Sequence, residues 1–217
     1  MGMKVSCRYR VDKRSRWAHL VSSRYHSIGR TPRCPQEQPM TTPTIAPVGP
    51  ANTPAASEPT LAALKAKFGT VPKMFSTFAH SPAALDAVAG YFNAMGGAKL
   101  SPRTQEAIAI AVAELNRCTY CLSAHTALAK GHGVKADELS GFRTGRSADP
   151  REQAILDLAV AIARTRAADV GPQLAQARKA GLSDAELVEV VAAVAQNVLT
   201  NYLNVVAGTE VDFPRVA

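Results

Sequence analysis

The chain has no long apolar run. No stretch approaches the roughly 18 to 20 apolar residues that a membrane span needs, so the body is expected to be soluble. No segment alternates with a two-residue period between hairpin turns, which argues against a sheet architecture. No glycine-rich loop follows a strand, so sites for NAD, FAD or ATP have no support. Cysteine is scarce, four in 217 residues, and Trp17 is the lone tryptophan. Cys7 and Cys34 lie near the N-terminus, which leaves Cys118 and Cys121 for the rest of the chain. One pair does not make the disulfide scaffold of a small secreted domain. An intracellular redox or metal motif fits better, and a cytoplasmic location is expected.

An excess of charge is also missing from most of the chain. Of the net charge of +8, +7 belongs to residues 1–39, which hold nine Lys or Arg against two acidic residues. Residues 40–217 hold sixteen basic and fifteen acidic residues. The body has no basic stripe, which disfavours nucleic-acid binding. The leader lacks the 7–15-residue apolar core of a secretory signal. It is Arg-rich and acid-poor, as mitochondrial transit peptides are. The change of composition at Met40 favours a mis-assigned upstream start or a remnant of an expression vector, in either case not native to the domain. Residues 1–39 are expected to be disordered, and 40–56, rich in Thr, Pro and Ala, to form a linker.

From residue 57 the punctuation is helical. Ser57 and Pro59 open a helix ending near Phe68, and Pro72 opens one carrying Met74, Phe75 and Phe78. Ser81-Pro82 and Ser101-Pro102 each pair an N-cap with proline at the first helical position. The first of these helices stops at Gly96-Gly97. The second carries Glu106 among Ile108, Ile110 and Val112, and breaks at Asn116-Arg117. A helix from about Cys118 to Lys130 follows, then a short one at 135–140. Asp149-Pro150 opens a long helix, and Pro172 opens one ended by Gly181. Ser183-Asp184-Ala185-Glu186 is a capping box before the last helix, through Tyr202. The reading is an all-α domain over 57–212, alanine-rich enough for close helix packing.

What stands out is Cys118-Thr119-Tyr120-Cys121-Leu122-Ser123-Ala124-His125. On a helix, Cys121 and His125 share one face, which puts a base near a thiol. A free thiol has a pKa near 8.5, so little is thiolate at neutral pH. A helix start and a nearby imidazole both raise that fraction. Glu106 can orient the imidazole or shuttle a proton. On one unbroken helix, however, Glu106 lies about 1200° before Cys118, roughly 120° off its face. The two converge only if the chain bends near Asn116. Oxidation of Cys121 to a sulfenic acid would let Cys118 close a disulfide, reopened by an outside dithiol. Cys118, at the helix start, is expected to be the more exposed of the two and to meet that reductant.

Blander readings stand beside this one. The cysteines can be small core residues, and Glu106 a solvated charge. Cys118, Cys121 and His125 are acceptable zinc ligands, with Glu106 as a fourth, though no second ligand cluster accompanies them. Tyr120 reads as packing at the edge of a pocket, His132 as a C-cap residue and His80 as a turn residue. Asn197, Asn201 and Asn204 lie on one stripe of the last helix; hydrogen bonding between helices is the preferred reading, and a role in shaping the site is the alternative. The Ala/Val stripe at 188–206 reads as core or subunit interface.

The order Glu106, eleven residues, Cys118-x-x-Cys121, three residues, His125 resembles the alkylhydroperoxidase D (AhpD-like) branch of the carboxymuconolactone decarboxylase family. Phe68-Gly69-Thr70-Val71-Pro72 with His80-Ser81-Pro82, and Ala180-Gly181-Leu182-Ser183-Asp184-Ala185-Glu186-Leu187, are similar to that family's flanking segments. The resemblance spans about 60–212. It implies an AhpD-like helical fold assembled as homo-trimers or hexamers. It also implies an antioxidant oxidoreductase: a peroxidase that reduces alkyl hydroperoxides through a Cys118/Cys121 dithiol-disulfide cycle. In that cycle Cys121 attacks, Cys118 resolves, His125 is the base and Glu106 relays protons. No bound cofactor is expected, and electrons come from a thiol or lipoyl-type reductant protein. The well-studied peroxidases carry histidine directly before the second cysteine, where this chain has Tyr120; many peroxidase-related members have an aromatic there. The alternatives are a dithiol-disulfide oxidoreductase that is not a peroxidase, and a Cys/Cys/His metal-binding module.

Overall fold

A computed structural model describes residues 44–216, so the leader expected over 1–39 lies outside the described residues. Among the described residues the secondary structure is helical throughout. After a 3-10 turn at Ala55–Ser57 come α1 (Glu58–Phe68), α2 (Lys73–Phe78), α3 (Pro82–Met95) and α4 (Pro102–Leu115). Then follow α5 (Thr119–Gly131), α6 (Ala136–Arg143), α7 (Pro150–Thr165), α8 (Gly171–Lys179) and α9 (Asp184–Ala207).

The starts sit where the capping chemistry puts them. Ser81 Oγ accepts from the Ala84 N–H, Ser101 Oγ from Thr104 N–H and Asp149 Oδ1 from Glu152 N–H. Proline occupies the first turn in each case, where a missing N–H costs nothing. At α9 the box is complete: Ser183 Oγ accepts from Glu186 N–H, and Glu186 Oε2 from Ser183 N–H at 2.9 Å.

Helix α4 is the centre. Every residue from Ala107 to Ala113 is buried, so it is apolar all round, as an enclosed helix must be. It packs against α5, α6, α7 and α9. The alternating alanines let four neighbours approach it closely.

Two segments outside the helices lie on this bundle. Residues 44–54, expected within a linker, are hydrogen-bonded to the body. Thr44 N–H donates to Ala207 O at 2.8 Å and Val48 N–H to Ser76 O at 3.1 Å. The His80 ring pairs with Ala46 O at 2.8 Å. Burial of Val48 gives the strap its apolar anchor. At the other end Gly208, in the left-handed region at φ 62°, ends α9 and turns the chain back. The tail is held by Lys73, whose Nζ pairs with Glu210 Oε2 and whose N–H donates to Asp212 Oδ2, both at 2.7 Å. Val216 N–H reaches Ser123 Oγ at 3.3 Å.

Helix α9 corrects one expectation. By length and composition it is apolar enough to cross a membrane, because its valines and alanines outweigh its polar residues. Half of that apolar window is buried inside the fold. Gln196, Asn197, Thr200, Asn201 and Asn204 are all on its buried side, which is the pattern of a core helix.

Candidate active site

The site is built on the turn between α4 and α5. Asn116 caps α4, and Arg117 follows in the left-handed region at φ 53°. Arg117 N–H donates to Glu114 O at 3.1 Å and Cys118 N–H to Ala113 O at 3.0 Å. This is a Schellman ending, closed by an arginine where glycine is usual. Cys118 is therefore both the last residue of that motif and the N-cap of α5. A continuous helix would hold Glu106 and His125 about 28 Å apart. The fold-back instead brings Glu106 Oε2 to 2.8 Å from His125 Nδ1. The bend that convergence requires is present at the residues expected.

Cys118 caps α5 with sulfur: its Sγ accepts from the Cys121 N–H at 3.3 Å. Cys121 thus sits in the first turn, where amide N–H groups and the helix dipole favour an anion. Both cysteines are free thiols. The expectation that Cys118 is the exposed member does not hold. Both are 2 % exposed, because the capping role turns the Cys118 sulfur inward. Cys121, not Cys118, reaches the pocket.

The two thiols are driven apart in acidity. The Cys118 thiol, by donating to Cys121, holds the Cys121 pKa down at about 7, against its burial. The positive charge of His125 and the Asn204 and Asn201 amides act in the same direction. Cys118 is pushed strongly up, first by that same hydrogen bond and then by burial. The pair therefore loses its first proton from Cys121 and keeps the other on Cys118. Burial pulls His125 down, but the Glu106 carboxylate and the Cys121 sulfur outweigh it and raise the imidazole pKa. No hydrogen bond joins the His125 ring to either sulfur; it acts on Cys121 through its charge. With Nδ1–H committed to Glu106, Nε2 is the basic nitrogen left over.

A cavity of about 260 Å³ opens onto Cys121 and His125. Its walls are mostly apolar: Phe68, Met74, Phe75, Phe92, Leu128 and Phe213. Tyr120 lines it too. Its hydroxyl accepts from Met74 N–H at 3.2 Å, and its ring meets Phe213 edge-on at 5.7 Å. Burial raises the Tyr120 pKa, so the phenol stays neutral and is a wall rather than a base. Thr200 and Asp212 supply the polar edge.

The four candidate residues and Tyr120 thus converge. Sequence reasoning preferred helix joining for Asn204 over a role in shaping the site, and so missed that its Nδ2 donates to Cys121 Sγ at 3.2 Å. It also missed the tail residues Asp212 and Phe213 as pocket wall. The asparagine stripe on α9 was a visible signal, but nothing local to 208–216 announces its place. Among the described residues, no group of three or more His, Cys, Asp or Glu side chains is disposed to hold a metal ion.

Fold and site together define an all-α, AhpD-like dithiol protein. Residues 82–148, which carry Glu106, both cysteines and His125, match the model of the carboxymuconolactone decarboxylase family. Through that segment the chain is similar to this family. The solved structures agree on the fold. An uncharacterized peroxidase-related protein from Silicibacter sp. TM1040 is 22% identical with a TM-score of 0.68, covering 79% of this chain and 94% of that one. A peroxidase-related protein from Ralstonia eutropha JMP134 described as an alkylhydroperoxidase AhpD core is 23% identical with a TM-score of 0.68, covering 77% and 93%. The debrominase Bmp8, as a cysteine-to-alanine variant in complex with 2,3,4-tribromopyrrole, is 20% identical with a TM-score of 0.67, covering 81% and 94%. No curated protein matches the chain.

Proposed function

We propose that this protein is a thiol-dependent peroxidase that reduces organic hydroperoxides in the cytoplasm. The observation that carries the reading is geometric: two free thiols one turn apart, Cys118 capping the helix and Cys121 on the pocket, beside a His125 held by Glu106. The Cys121 thiolate attacks the terminal oxygen of ROOH. The O–O bond breaks, sulfur becomes S–OH, and RO⁻ takes a proton held by His125 to leave as ROH. The Cys118 thiol then attacks that sulfur; an S–S bond forms and water leaves with the Cys118 proton. An external dithiol reduces the disulfide by exchange and is itself oxidised. Glu106 fixes the imidazole and balances its charge. The apolar walls favour a carbon-bearing peroxide over hydrogen peroxide, since burying apolar surface contributes about 25 cal/mol per Å².

The test is turnover of tert-butyl hydroperoxide with a dithiol. Wild type is expected to turn over. Cys121→Ser and Cys118→Ser are each expected to lose turnover. With peroxide, Cys118→Ser should accumulate a trappable sulfenic acid on Cys121. Wild-type turnover that survives Cys121→Ser would refute the assignment.

A second reading is a dithiol-disulfide oxidoreductase with a different acceptor. It is favoured by the aromatic walls and by the debrominase among the structural neighbours. It predicts a disulfide that cycles with a lipoyl or protein dithiol but does not turn over peroxide. In either case a homo-oligomer is proposed, a trimer or hexamer. Val188, Val191, Tyr202 and Val206 on the outer face of α9 are each more than half exposed, which is unusual for a lone chain.

A further inference from the structure

The buried amides of α9 are not used by the thiol cycle above. Asn197 is explained by its own helix, since its Nδ2 donates to Ala193 O at 2.9 Å. Asn201 is fully buried and accepts from Asn116 Nδ2 at 2.9 Å, tying α9 to the turn after α4. Its own Nδ2 has no hydrogen-bond partner. Asn204, 3 % exposed, makes a single side-chain hydrogen bond, from Nδ2 to Cys121 Sγ, and its Oδ1 has none. These two half-paired amides are neighbours, three residues apart on one helix face. A polar group left unpaired in the interior is destabilising, so two of them together call for a reason.

Helix joining does not account for Asn204. A neutral thiol is a weak acceptor, and a bond to it does little to offset burial of an amide. A thiolate is a strong acceptor, and hydrogen bonds to ionised groups are about twice as strong as neutral ones. The direction of approach matters as well. Thr200 and Cys121 line the pocket, whereas Asn201 and Asn204 do not. Asn204 therefore meets the sulfur from the α9 side and leaves its pocket side open to an incoming electrophile.

We infer that Asn204 is a positioning residue that holds the Cys121 sulfur as an anion aimed into the pocket. The inference rests on the reading of Cys121 as the nucleophile. The titratable groups that surround this sulfur are Cys118 at the cap, His125 with Glu106 behind it, and Tyr120 with Asp212 at the pocket edge. None of them lies on α9, so the Asn204 amide is that helix's contribution to charge stabilisation.

The test is alkylation of Cys121 by iodoacetamide as a function of pH, resolved by peptide mass in the full chain. Asn204→Leu replaces the donor by an apolar group of similar size. Its Cys121 midpoint should rise by about one pH unit or more, a tenfold loss of thiolate below the midpoint. Asn197→Leu, in the same stripe but away from the sulfur, should leave the midpoint in place. If Asn204→Leu fails to fold, Asn204→Ala on the same helix carries the same expectation. An unmoved midpoint in a folded Asn204 variant overturns the inference, and so does an equal shift in Asn197→Leu. Peroxide turnover is followed on the same samples. Its absence from wild type would remove the peroxidase reading while leaving the role of Asn204 to be decided by the midpoints.

Discussion

At the scale of residues, the site works by giving each charge one partner. Glu106 has little access to water at 14% exposure, and it commits one oxygen to His125 Nδ1 at 2.8 Å. That contact raises the histidine pKa against its burial. Glu106→Gln keeps the shape and removes the charge. The His125 imidazole should then titrate lower, by about one unit or more, because an opposite charge at this distance is worth roughly 1–3 units. Proton NMR of the ring across pH reads this directly; an unchanged midpoint would mean that Glu106 is only structural. This part of the site was legible in the sequence, because Cys121 and His125 share a helical face whatever the fold does. Asn204 was not: 83 residues separate it from Cys121. A helix stripe shows which side is buried but not which atom it meets.

At the scale of elements, the decisive object is the turn at Asn116, Arg117 and Cys118. It ends one helix, starts the next, and converts a 19-residue separation into contact. Arg117 holds φ 53°, a region that costs an L-residue roughly 1–2 kcal/mol. Arg117→Gly should be at least as stable as wild type, whereas Arg117→Val, β-branched, should lose about 1–2 kcal/mol. Urea unfolding of the three proteins checks this, and equal stabilities for glycine and valine would contradict it. The other helix starts were readable because a Ser-Pro or Asp-Pro pair does its capping within four residues. The start of α5 was readable only approximately. A cysteine is an uncommon cap, and its suitability depends on the Schellman bonds made by the helix before it.

At the scale of the whole molecule, helix number and order follow from local punctuation, but the enclosure of the pocket does not. Phe213 reaches Tyr120 because Lys73 grips the tail through Glu210 and Asp212, contacts that span nearly 140 residues. No periodicity records such a return. The strap at 44–54 escaped for the same reason: a segment of Thr, Pro and Ala looks like a linker until Val48 finds its place in the core. The outer face of α9 belongs to this scale too. Val206 is 64% exposed beside Tyr202 at 57%, and in the proposed oligomer this face is covered. Val206→Asp should therefore lower the mass measured by light scattering to that of a single chain while leaving its helix content intact. A wild type that is already a monomer would sink this proposal.

The proposed chemistry needs one sulfur ionised near neutral pH while its neighbour is not. The direct measurement is the pH profile of alkylation of wild-type Cys118 and Cys121, read separately by peptide mass. A depressed thiol pKa means that reactivity is full above the midpoint and falls about tenfold for each pH unit below it. Cys121 should show its midpoint near pH 7, and Cys118 should stay unreactive throughout. A Cys121 midpoint at the free-thiol value of about 8.5, or a Cys118 that reacts first, would contradict it.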